Sequence, residues 1–298
     1  MVASVWRDSP RMQENQPSRT SIYAAIFRAL HQTVDEDPKI LADWIASRLI
    51  DVSSGDYQVR LAECEQPRAR VARSNIVLRG RYAEDCLGEA IARGVRQFLV
   101  LGAGLETFAY RQPPWASALQ IFEADHPATQ AWKKEKLAMA GIIPPPNLTF
   151  VPIEFEATSL REGLYATGFD LTVPTFTAWL GVAYYLTEEA IDKTFQFVCR
   201  LPKGSEIVFT FAVSLDILAQ AEAERATSYA TAATTQSSEP WLSRFRPTQI
   251  VTTLRRIGFS RVEHFTPEQA RQRYFIERGD GLAGLDGGQV TQLMRAIV

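Results

Sequence analysis

The chain has 298 residues, of which 46% are hydrophobic and 22% charged, with 32 basic against 34 acidic side chains and a formal net charge of −2. That balance suits a soluble globular α/β domain with insertions, or at most two domains. It provides no basic run or stripe that would draw a nucleic acid.

From the N-terminus, MVASVWRDSPRMQENQPSRT is polar and has no apolar signal core, so residues 1–17 read as a disordered tail. Residues 18–298 read as one domain. Ser18 caps a helix on which Ile22, Ile26, Ala29, Leu30 and Val34 recur at helical spacing. Pro38 ends it, and 40–49 reads as a short amphipathic helix. Residues 59–81 are predicted as a basic helix and 83–93 as a second, closed by Gly94. This helical part, 18–94, precedes a core segment at 95–212.

Strands are then predicted at 98–101, 118–123, 148–153, 174–179 and 206–211, alternating with helices through Trp132 and Leu137, at 160–167 and at 188–200. Residues 213–247, rich in Ala, Glu, Thr and Ser, read as an inserted helical lid. The remainder, 248–298, supplies a helix at 247–256 and closing strands at 260–265 and 272–276. Strand–helix alternation predicts a doubly wound, mainly parallel sheet. No run reaches the ~18–20 apolar residues of a membrane span, so a cytoplasmic location without membrane partners is the default. Three scattered cysteines (Cys64, Cys86, Cys199) and three histidines (His31, His126, His264) predict no disulfide framework and no metal site.

The chemistry concentrates in FLVLGAGLETFAYR, Phe98 to Arg111: a strand, a glycine turn and a predicted helix start. Ligands of open α/β sheets sit beyond the carboxyl ends of the strands. There Gly102, Ala103 and Gly104 let a backbone turn sharply and a ligand approach closely. Alone, the turn equally fits a tight connection with no ligand. About 20 residues on, the second strand ends in Glu123-Ala124-Asp125, acids placed to accept bonds from ribose hydroxyls. Thr107 stands where a dinucleotide fingerprint wants a small third residue. Glu106 in the turn opposes a pyrophosphate but suits a sulfonium or ammonium, which favours S-adenosylmethionine over a nicotinamide dinucleotide. Glu154 and Phe155, after the third strand, are candidates for the adenine, with a solvated loop as the plain alternative. Arg79 and Arg81 in RGRY are candidates for a donor carboxylate, and His126 for the pocket wall.

With these pieces together the sequence resembles the leucine carboxyl methyltransferase family, in its bacterial branch of small-molecule O-methyltransferases. The shared markers are Ser18-Arg19-Thr20, LGAGLETFAYR, FEADHP, VPIEF, TAWLGVAYYLTEEA and LPKGSEIVF. The resemblance implies a class I methyltransferase (Rossmann-like) fold with seven strands, a helical N-terminal extension and an inserted helical lid. It implies methionine contacts at Gly102 and Gly104, ribose at Asp125, adenine at Glu154 and Phe155, and donor carboxylate at an RGRY arginine, Arg79 before Arg81. Two departures stand out. Leu180 occupies a place where relatives often carry glutamate, and Glu106 one where aspartate is usual.

The expected function is methyl transfer to an oxygen of a small molecule, a carboxylate by preference because it is already ionised at pH 7. A hydroxyl acceptor needs a base, for which His31 and Tyr184 are the candidates. Tyr23, Phe27, Tyr184, Trp241 and Phe245 are candidates for an apolar acceptor pocket, plain core being the alternative for each. An NAD(P)-dependent oxidoreductase on a similar sheet and a non-catalytic donor-binding protein are the competing readings.

Overall fold

In a computed structural model of the chain, residues 18–154, 159–237, 240–282 and 290–298 are described, without the side chains of 229 and 232–237. The predicted tail at 1–17 lies outside them. Ser18 caps α1 (Arg19–Val34), its hydroxyl accepting from the Ser21 N–H at 3.3 Å. Of the helix expected at 40–49, only the turn α2 (Ala46–Leu49) forms. The basic stretch divides differently from its prediction. Its first part joins α3 (Gly55–Ala62), and Pro67 then starts a single 26-residue helix, α4 (Pro67–Ala92). No break falls between Arg81 and Ala83, because Tyr82, Ala83, Cys86 and Leu87 continue one buried stripe.

The sheet follows, as β1 (Gln97–Leu101), β2 (Gln120–Asp125), α5 (Pro127–Met139), β3 (Leu148–Pro152), α6 (Leu160–Tyr165), β4 (Thr175–Trp179), α7 (Glu188–Cys199) and β5 (Glu206–Ala212). An inserted helix, α8 (Gln220–Ser237), leads to α9 (Pro247–Ile257), β6 (Arg261–Phe265), the turn α10 (Pro267–Ala270) and β7 (Thr291–Ile297). The strands lie in the order β3-β2-β1-β4-β5-β7-β6. β1 to β5 pair in parallel, while β7 runs antiparallel between β5 and β6. Alternation sends Phe98 and Val100 toward a core shared with α4, and Leu99 and Leu101 toward one shared with α6, α7 and α9.

Two further expectations are corrected. Residues 272–276 are not a strand: Arg271–Phe275 winds as a π turn continuing α10. Tyr274 and Arg273 reach Asp85 of α4 at 2.7 and 3.0 Å, and Phe275 is fully buried. The true last strand is TQLMRAI, which carries a buried arginine. Arg295 crosses to Glu206 of β5 (2.7 Å) and Glu89 of α4 (2.7 Å), and these partners admit a charge to a central strand. Nor does an α-helix follow the glycine turn. The chain makes 3-10 turns at Phe108–Tyr110 and Pro114–Ala116 before β2. Among the described residues, no helix is long and apolar enough to cross a membrane.

The N-terminal helices are pinned by a buried triad. Asp35 accepts from His31 Nδ1 at 2.7 Å and from Arg73 Nε and Nη2 at 2.7 Å each. Ile40 N–H donates to His31 Nε2 at 3.1 Å, so both ring nitrogens are occupied. Burial pushes the Asp35 carboxyl up, but the bonds from His31 and Arg73 outweigh it and hold the carboxyl below its ordinary range. Its stabilisation is therefore full above the unfolded aspartate value and lost as pH falls through the lower folded one. Asp35→Asn is expected to cost about 3–5 kcal/mol at pH 7 by leaving Arg73 buried without its counter-charge. Urea unfolding should show that gap shrinking toward pH 3.

Candidate functional site

The carboxyl ends of β1, β2 and β4 open into a cavity of about 940 Å³. α1 and α4 wall one side, and the loop after β4 with the segment after α8 walls the other. The glycine turn forms its floor. The N–H groups of Gly102 and Ala103 donate to the Ala124 carbonyl at 2.8 and 3.2 Å, tying the turn to β2. Gly104 has φ +47°, and a Cβ there would stand 2.8 Å from the Ser21 Cβ. Glycine thus lets the N-terminus of α1 close against the turn.

Asp125 completes that junction. One carboxylate oxygen accepts from the Gly104 N–H and the other from the His126 N–H at 2.6 Å. Burial raises its pKa, opposed by those two N–H groups. A carboxylate accepts at about four lone-pair positions, so it retains capacity toward the cavity it lines. His126 caps α5, its Nδ1 accepting from the Ala128 N–H at 3.2 Å while Nε2 stands 3.8 Å from Glu154. Both line the cavity. Phe155 lies outside the described residues.

Glu123 is placed differently from its prediction. It lies one pleat deeper than Asp125, and Lys133 of α5 reaches its carboxylate at 2.6 Å; both side chains are buried and neither lines the cavity. Arg79 and Arg81 also separate. Arg81 turns outward to Asp85 at 2.9 Å, whereas Arg79 lines the cavity and has no carboxylate within ion-pair distance among the described residues. Its guanidinium rests where a Cβ of Gly181 would stand, and Gly181, at φ +77°, leaves it that room. Leu180, beside it, lines the cavity as an apolar side chain.

Of the acceptor-side candidates, Tyr23, Phe27, Tyr184 and Trp241 line the cavity. Phe245 does not, because its backbone pairs with Ala212 and Ser214 and its ring packs into the core. His31 is absent from the lining as well, being fully buried in the triad with Asp35.

Beneath the turn lies a charged cluster that sequence reasoning did not assemble. Arg28 of α1 donates to Asp43 at 2.8 Å and to the Leu105 carbonyl at 2.5 Å. Arg111 forks onto Glu84 of α4 at 2.5 and 3.1 Å, and approaches Asp43 at 3.4 Å. Glu106 accepts from the N–H groups of Thr107 and Phe108 at 2.7 and 3.0 Å, capping the 3-10 turn. Arg111 sits in the glycine motif and was visible there; nothing in the spacing of Arg28, Asp43 and Glu84 announces their meeting.

A cavity at the switch point of this sheet, with an acid closing β2 onto a glycine turn, is the arrangement in which Rossmann-like folds hold small-molecule ligands. The family model of "Leucine carboxyl methyltransferase" matches residues 21–199. The "Putative S-adenosyl-L-methionine-dependent methyltransferase YktD" of Bacillus subtilis (strain 168) is 35% identical over 297 residues, spanning 92% of this chain and 97% of its own. The chain belongs to the leucine carboxyl methyltransferase family, whose relatives here use S-adenosylmethionine. A "Putative S-adenosyl-L-methionine-dependent methyltransferase" of Mycolicibacterium gilvum (strain PYR-GCK) is 33% identical, over 61% of each chain. The crystal structure of a "putative methyltransferase" from Thermobifida fusca YX superposes with a TM-score of 0.57 at 18% identity, covering 99% of both chains, and shares the fold.

The charged cluster makes the site's stability pH-dependent. Burial pushes the Glu106 carboxyl up, but Arg28, Arg111 and the Thr107 N–H outweigh it and hold it at about 2. Its contribution is present above the unfolded glutamate value and lost as pH falls toward 2. Glu106→Gln is expected to lower stability at pH 7 and to flatten the loss between pH 5 and pH 3. Thermal unfolding across that range reads both effects.

Proposed function

We propose that the chain is an S-adenosylmethionine-dependent O-methyltransferase whose acceptor is a small-molecule carboxylate. Arg79 carries the donor half of this reading: a half-buried guanidinium that lines the cavity and has no carboxylate partner among the described residues. It is suited to a bidentate grip on the donor's carboxylate. Gly102, Ala103 and Gly104 take the methionine portion, the free lone pairs of Asp125 the ribose hydroxyls, and Glu154 beside His126 the adenine amino group.

When bound, S-adenosylmethionine supplies an electrophilic methyl, and an acceptor oxygen lone pair forms the C–O bond while the C–S pair stays on sulfur. No proton moves when the acceptor is a carboxylate, and the products are an ester and a neutral thioether. The chain's task is then to hold acceptor oxygen and methyl in line and to exclude water. Two observations support the carboxylate. His31, a base candidate by type, has both nitrogens engaged away from the cavity, and the histidine that does line it, His126, caps α5 through Nδ1 and turns Nε2 toward Glu154 on the proposed adenine side. The family's description names a carboxyl acceptor.

Calorimetry with S-adenosylhomocysteine tests the donor site. Arg79→Met and Asp125→Ala are each expected to weaken binding at least about tenfold, through loss of charge-assisted bonds worth ~1.5 kcal/mol or more. Arg81→Met should leave affinity unchanged. Equal affinity across all three variants would refute the assignment. For the acceptor, mass spectrometry on a panel of acids and phenols should find methyl esters; methylation of phenols alone would overturn the carboxylate.

A further inference from the structure

The cavity exceeds what the donor needs. A ligand of that size takes on the order of 400 Å³, against about 940 Å³ here. That leaves room beside it for an acceptor of similar bulk. Its side of the cavity is built from rings. Tyr184 lies with its ring centroid 4.6 Å from Trp241 and 4.7 Å from Tyr185, and all three line the cavity. The backbone fixes this wall from both ends. The N–H groups of Leu242 and Ser243 donate to the Tyr184 carbonyl at 2.7 and 3.3 Å, joining the loop after β4 to the segment after α8. Tyr23 adds another ring from α1, with the Arg60 guanidinium 5.1 Å from its centroid.

A cation stands behind this wall, outside the cavity lining itself. Arg244 stacks 5.1 Å from the Trp241 centroid, and its guanidinium donates to the Val213 carbonyl at 3.3 Å. It makes no ion pair with a carboxylate among the described residues, and burial alone pulls its pKa down, so the cation is short of counter-charge. Ring faces carry negative potential. A carboxylate is therefore disfavoured flat against them, while an aromatic ring stacks there with its charged group directed out of the stack.

We propose that the acceptor is a planar aromatic carboxylate, its ring packed on the Tyr184–Trp241 wall, with Arg244 behind Trp241 as the positioning charge that favours an anion. This rests on the methyltransferase reading and narrows its acceptor. The test is calorimetric titration of the full chain saturated with S-adenosylhomocysteine. The probes are 2-naphthoate, its saturated counterpart decalin-2-carboxylate and its neutral counterpart 2-naphthamide. Naphthoate is expected to bind at least tenfold more tightly than either comparator. Trp241→Leu should abolish the preference for the flat ring, and Arg244→Gln the preference for acid over amide, both with S-adenosylhomocysteine affinity intact. The comparators on the unaltered chain decide the matter even if a variant fails to fold. No naphthoate binding, or decalin-2-carboxylate binding equally well, overturns the aromatic assignment. An acid preference that survives in Arg244→Gln overturns the role of Arg244. Failure of S-adenosylhomocysteine itself to bind would instead strike the donor site, a separate and recognisable result.

Discussion

Everything around the cavity hangs on a buried charge network that no single element owns. Arg28 comes from α1, Asp43 from the stretch before α2, Glu84 from α4, and Glu106 and Arg111 from the segment after the glycine turn. Asp43 is fully buried and Arg28 and Arg111 nearly so. Removing one member of such a network strands its partners in a medium of low dielectric, so the cost exceeds that of one contact. The charges tie α1, α4 and the stretch before α2 to the segment after the glycine turn, and Arg28 extends this to the turn itself by holding the Leu105 carbonyl.

Two neighbouring acids on β2 then take unlike roles for a geometric reason. Glu123 and Asp125 lie on the same side of the strand, about 7 Å apart along it. The deeper one falls under α5, where Lys133 neutralises it within the core. The shallower one clears the sheet and meets the N–H groups of Gly104 and His126. Burial raises the pKa of both, and only Asp125 also faces the cavity.

That difference marks how far the sequence is legible. The strands β1 to β5 announce themselves as apolar runs, because both faces of a parallel sheet are covered. The glycine turn and the acid-bearing end of β2 are readable for the same reason, a short-range demand on residue type. β7 was not, since Arg295 and Gln292 interrupt its pattern and their partners lie on other elements. The aromatic RQRYF, strand-like by composition, is instead wound into a turn by its anchorage to Asp85. His31 reads as a histidine that packs the first helix or, less readily, serves as a base, and only the meeting of Asp35 and Arg73, from a loop and another helix, decides for packing. Local patterns carry local constraints. Pairings across tens of residues leave no such trace.

The departure at Leu180 gains a physical meaning from the same geometry. Its neighbour Gly181 is the residue on which the Arg79 guanidinium rests, and the Gly181 N–H is tied to the Thr210 hydroxyl at 2.6 Å. A glutamate at that position, the residue the family resemblance leads one to expect, would put an anion on the cavity wall near that cation. Leucine removes the competitor, leaving Arg79 with its full charge for a ligand and making this stretch of wall apolar. The glycine turn's own acid, Glu106, does not replace it directly, since its carboxylate caps the 3-10 turn and faces Arg111. With Leu180 in that place the cavity wall carries one negative charge fewer beside the Glu84 and Glu106 that do line it, which suits the carboxylate acceptor proposed above.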